Sequence, residues 1–151
     1  MRTPGSPRAY QRAGWMVIFG LSLVLAGNSL FFGLTGADPE IFETDTGVAW
    51  SAFSDDYPTV ATLVDLAERL NGTGYFGMSL FAAVVALFGL RKRARWSWYA
   101  LWLFPAALLL RAGWFFTHDQ PLVGGFYSAV AATAVVGLLL PFRLLFPGKE
   151  S

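Results

Sequence analysis

Few residues of this 151-residue chain carry side chains suited to chemistry, and fewer fall close together. Arg111 stands out. It lies inside an apolar run, 16 residues past Arg95, or about 24 Å along a helix. A charge within a membrane-spanning segment is a functional hypothesis by default. Its planar guanidinium suits bidentate pairing with a carboxylate or a phosphate. The candidate partners are Asp119, Asp38, the amide of Asn28 and a lipid phosphate. His118-Asp119 is an acid–base pair by type, but a loop His beside an Asp is more often plain turn chemistry. No Ser in an elbow context and no second His supports a hydrolase. Arg111, Asn28, His118 and Asp119 are therefore the ligand-binding candidates, and no residue is assigned a catalytic role.

What the chain lacks narrows the field further. It contains no Cys, which excludes disulfides, thiol redox chemistry, Fe–S clusters and thiolate metal sites. Four-helix quinone-linked thiol oxidoreductases are thereby excluded too. A single His argues against a bis-His haem or a His-rich metal site, so no metal and no cofactor are expected. Gly72-Thr73-Gly74-Tyr75-Phe76-Gly77 matches G-x-G-x-x-G. The dinucleotide fingerprint also needs a preceding strand and an acid about 20 residues on. Here an amphipathic helical pattern precedes, and Arg91 to Arg95 stand where the acid belongs. The glycines are read instead as a tight bend and a close helix contact, and Asn71-Gly72 as a helix stop. Asn71-Gly72-Thr73 also fits a glycosylation acceptor, but lies too near the expected membrane boundary.

The elements that would position these residues follow from charge and hydropathy. The chain is 55% hydrophobic and only 14% charged, against roughly 25% charged in soluble domains. Arg91-Lys92-Arg93-Ala94-Arg95 separates two apolar runs. Each of its charges costs roughly 2.5–3.5 kcal/mol at a bilayer centre, so the group lies at a surface. Short loops rich in Lys and Arg stay cytoplasmic, and Trp96, Trp98 and Trp102 suit the headgroup level. Arg2, Arg8 and Arg12 precede the first apolar run, whereas 37–71 holds eight acids against Arg69 alone. This alternation predicts an even number of spans with both termini cytoplasmic, in a cell (plasma) membrane.

The expected fold is all-α, a polytopic four-transmembrane-helix bundle forming a single membrane domain over 1–151. Spans are expected at about 14–36, 74–90, 96–116 and 122–146, with an outer segment over 37–73. A cleaved signal peptide competes for the first span, but its apolar core exceeds the usual 7–15 residues. Asp38-Pro39 reads as the end of the first helix, and the stretch through Gly47 and Phe53 as loop with one short turn. Residues 58–70 read as an amphipathic outer helix lying apolar side down, with Asp65 and Arg69 paired at i,i+4. Pro105 predicts a bend in the third span. Small residues mark packing faces at Ser22, Ala26, Ser29, Gly33 and Gly36, and at Ser79, Ala82, Ala86 and Gly89. Gly125, Ala129, Thr133 and Gly137 repeat every four residues, which suits contact within the chain or a homodimer through the fourth helix.

Arg95-Trp96-Ser97-Trp98-Tyr99-Ala100-Leu101-Trp102, with the closing Leu140-Pro141-Phe142-Arg143, resembles a group of small uncharacterised four-helix membrane proteins of bacteria and archaea. The resemblance covers 74–146 and implies architecture, with no activity to transfer. Small multidrug exporters are similar in size alone, because their membrane-embedded acid in the first helix has no counterpart here. The expected partners are the lipid bilayer, a second copy or a membrane partner protein, and not nucleic acid. The leading expectation is a non-enzymatic lipid- or partner-binding module. The alternative is a small carrier or enzyme acting on an amphipathic substrate at the outer face. The charge pattern makes a direct prediction for single cysteines at positions 45 and 93 in intact cells. A membrane-impermeant maleimide is expected to label 45 and not 93, and the reverse pattern would overturn the orientation.

Overall fold

The computed structural model describes residues 9–146, with side chains from residue 13. Readings that rest on Arg2, Arg8 and Arg12 lie outside the described side chains. The described residues are all-α: α1 (Ala9–Thr35), α2 (Pro39–Thr46), α3 (Trp50–Asp56), α4 (Pro58–Val85), α5 (Arg95–Leu101), α6 (Leu103–Thr117), α7 (Pro121–Leu139) and α8 (Phe142–Leu145). Between α4 and α5 the chain continues as a π-helical turn, Ala86–Leu90. Four stretches are long and apolar enough to cross a membrane: Ala13–Thr35, Pro58–Leu90, Arg95–Thr117 and Pro121–Leu145. The chain is thus a multi-pass membrane protein. It sorts into two compact units, Val24–Ser79 and the stretches on either side of it.

In the unit Val24–Ser79, the Thr35 end of α1 packs against the first half of α4. The stop expected at Asn71-Gly72 is absent, and the outer helix and second span are one helix of 33 residues. The reason is energetic. A helix glycine costs about 1 kcal/mol relative to Ala. A broken helix in hydrocarbon strands backbone groups at several kcal/mol each. Gly72 is needed for approach rather than bending: a Cβ there would stand 2.8 Å from both Gly33 Cα and Ser29 O. The small face expected on α1 is therefore in use, with Ala26 and Ser29 buried beside Gly33.

Above this crossing the chain turns at Gly36, whose φ of 78° is left-handed. Asp65 donates no proton here and accepts twice, from Ala37 N–H at 3.0 Å and from Arg69 Nε at 2.8 Å. The Arg69 guanidinium also donates to Thr35 O at 3.1 Å and to Leu34 O. The expected i,i+4 pair exists, and it closes the end of α1, whose last carbonyls have no partner within the helix. Asp38 caps α2 rather than simply ending α1, accepting from Glu40 N–H at 2.9 Å, with Pro39 in the first turn. The expected loop is thus two short helices, held by ring contacts of Phe42 with Trp50 and Phe53, each at 4.9 Å between centroids.

In the other unit, the N-terminal half of α1 packs against the end of α7 and Pro141. A Cβ at Gly14 would stand 2.6 Å from Pro141 Cδ, and one at Gly137 would stand 2.9 Å from Ile18 Cδ1. The small face of the second span is buried here at Ala82, Ala86 and Gly89. The third span breaks at Trp102, three residues before Pro105, whose missing N–H leaves the ladder incomplete there. Trp98 Nε1 donates to Leu138 O at 2.9 Å and Arg95 Nε donates to Leu145 O at 3.0 Å. Leu138 lies where α7 gives way to Pro141, and Leu145 is the last residue of α8. Arg91 lies over the Trp15 ring at 5.3 Å. The basic group thus binds one end of this unit besides marking a surface.

The Gly33–Gly72 crossing generates a stability prediction. Gly72→Leu forces backbone apart and is expected to cost about 3 kcal/mol or more, beyond ordinary overpacking. Gly77, where a Cβ meets open space, provides the control. Gly77→Ala is expected to leave thermal unfolding in detergent unchanged or slightly raised. Equal melting temperatures for the wild type and Gly72→Leu would contradict the crossing.

Candidate functional site

Polar chemistry inside an apolar unit needs local partners, and α6 with α7 supplies aromatic ones. Arg111 is half-buried on α6, six residues or about 9 Å from the Thr117 end. Its guanidinium carbon lies 4.7 Å from the centroid of the Tyr127 ring and 5.5 Å from that of Phe115. The two rings are stacked, 5.6 Å apart with planes 1° from parallel. A cation over aromatic faces gains roughly 2 kcal/mol or more when water is excluded. Phe115 is one turn from Arg111 on the same helix, and Tyr127 comes from the facing helix α7. The approach of α6 and α7 is close because Gly124 lacks a side chain: a Cβ there would stand 3.1 Å from Ala112 O.

His118 and Asp119 sit in the link between α6 and α7, both exposed. His118 stacks on Trp114 at 4.2 Å, and its Nδ1 lies 2.8 Å from Trp114 O and 3.1 Å from Thr117 Oγ1. Asp119 is left-handed at φ 59° and turns the chain into Pro121. The imidazole is thus bonded back to the end of its own helix. The carboxylate serves a turn, and neither geometry sets up proton transfer between them. Asn28 is exposed on α1. It falls in the other compact unit from Arg111, His118 and Asp119.

The stripe Gly125, Ala129, Thr133 and Gly137 divides. Gly137 is buried against Val17 and Ile18, whereas Gly125, Ala129 and Thr133 are exposed. Within the chain α7 packs instead through Gly124, Ala131, Ala134 and Leu138. Among the described residues there is no group of three or more His, Asp or Glu side chains placed to hold a metal ion.

Sequence reasoning missed Tyr127 as the seat of the Arg111 cation. An aromatic on the facing helix, six residues past its start across a short link, is the signal that would have found it. It also missed Arg69 as a clamp on the carbonyls of α1, since spacing along one helix reveals only the Asp65 partner. No family model, curated protein or solved structure matches the chain.

Proposed function

We propose that this chain is a non-enzymatic membrane module that binds an anionic amphiphile, a phospholipid of the surrounding leaflet, at the Arg111 end of α6 and α7. The observation that carries this reading is the guanidinium seated on Tyr127 and Phe115 within an apolar helix. A guanidinium is planar and carries its N–H donors along its edge, a geometry that matches the oxygens of a phosphate. Trp114 and Phe116 are exposed beside it on α6, placed for the interfacial belt in which a headgroup would sit. In this reading both termini are cytoplasmic and α2 and α3 are outside. The exposed Arg91, Lys92 and Arg93 against the acids of α2 and α3 support that orientation. The membrane is the cell membrane.

The test is native mass spectrometry of the purified chain in detergent, with the lipids it retains identified. The wild type is expected to keep phosphatidylglycerol or another anionic lipid. Arg111→Leu is expected to lose it about ten-fold or more, as removal of a charge-assisted hydrogen bond requires. A control by thermal unfolding separates this from a loss of fold. Equal retention by wild type and Arg111→Leu would overturn the reading.

A further inference from the structure

Three exposed threonines on the spanning helices share one solution, which Asn28 does not use. The hydroxyls of Thr35, Thr73 and Thr133 each donate to the carbonyl four residues back, Thr35 to Phe31 O at 2.9 Å, Thr73 to Arg69 O at 2.8 Å and Thr133 to Ala129 O at 2.9 Å. None therefore needs water. Asn28 is different. It lies seven residues, about 10 Å, inside the Thr35 end of α1, and it is exposed. Among the described residues its amide takes part in no hydrogen bond. Its short side chain does not reach water from that depth, and an amide unsatisfied in hydrocarbon is costly.

The surface beside Asn28 is shaped for another helix. Gly20, Val24, Gly27 and Phe31 follow at spacings of four, three and four, and all are exposed. A Cβ at Gly20 or at Gly27 would meet nothing within 4 Å, so a neighbouring backbone has room to approach. Helices associate in membranes through such small residues and through Asn amides bonded across the interface. The occupant is decided by the amide itself. It is both donor and acceptor, so two copies related by a two-fold axis satisfy each other with no third group.

We infer that two copies of this chain pair through α1, with the Asn28 amides hydrogen-bonded to one another across the interface. This is independent of the Arg111 reading and differs from self-association through the exposed α7 stripe. The chain has no native cysteine, so single cysteines report without background. The full chain is placed in phosphatidylcholine vesicles and oxidised with copper phenanthroline. Cysteine at position 24 or 27 is expected to form a cross-linked dimer, and cysteine at 125 or 129 is not. Energy transfer between labelled copies in the same vesicles gives the dimerisation constant. Asn28→Leu is expected to weaken it about ten-fold while leaving thermal unfolding of the monomer unchanged or improved. Asn28→Gln keeps an amide and is expected to retain part of the pairing. Cross-linking through α7 alone, a monomer at all protein-to-lipid ratios, or an unchanged constant for Asn28→Leu would each overturn the inference.

Discussion

Hydrocarbon offers no hydrogen-bond partners, and much of this structure follows from meeting helix ends and charges without them. The Asp65–Arg69 pair shows the constraint at one boundary. Its two charges close the end of α1 by reaching Leu34 O, Thr35 O and Ala37 N–H, and they neutralise one another as they do so. In the other unit Trp98 serves the carbonyl of Leu138 beside Pro141, and Arg95 that of Leu145 at the end of α8. At these helix ends a side chain from another element thus meets the carbonyls. Arg111 obeys the same rule differently, spreading its charge over two stacked rings.

The same constraint explains α4. Its outward residues Val60, Leu63, Leu70, Phe81, Val84 and Phe88 are exposed and apolar, whereas Asp65 and Arg69 turn toward α1. This reverses the arrangement of a helix in water. An interruption at Asn71-Gly72 would leave backbone groups unpaired beside that apolar surface. Continuity is therefore favoured over the weak helix propensity of the four glycine and asparagine positions from 71 to 77.

Fold class, the four spans and the burying faces of α1 and α4 were legible in the sequence, because hydropathy and small-residue spacing are properties of one helix at a time. Helix ends within 37–73 were not. Asp38-Pro39 stops one helix and starts another with equal ease, and Asn71-Gly72 acts as a stop only where water can satisfy the freed groups. The candidate site was half legible: a lone cation in an apolar run identifies Arg111, but which rings it meets depends on the register of α6 against α7. The stripe on α7 divides for a related reason. Gly125, Ala129 and Thr133 share spacing with Gly137, yet within the chain α7 turns Gly124, Ala131 and Ala134 inward instead.

The central claim is that polar satisfaction without water makes 58–90 a single helix. A nitroxide scan along these residues, reading oxygen against a water-soluble nickel relaxant in vesicles, tests it most directly. The account predicts one unbroken helical periodicity through 71–77, with high oxygen accessibility in phase at Leu63, Leu70, Gly77 and Phe88. A slip in phase at Asn71–Gly74, with water-soluble relaxant reaching those positions from all sides, would contradict it.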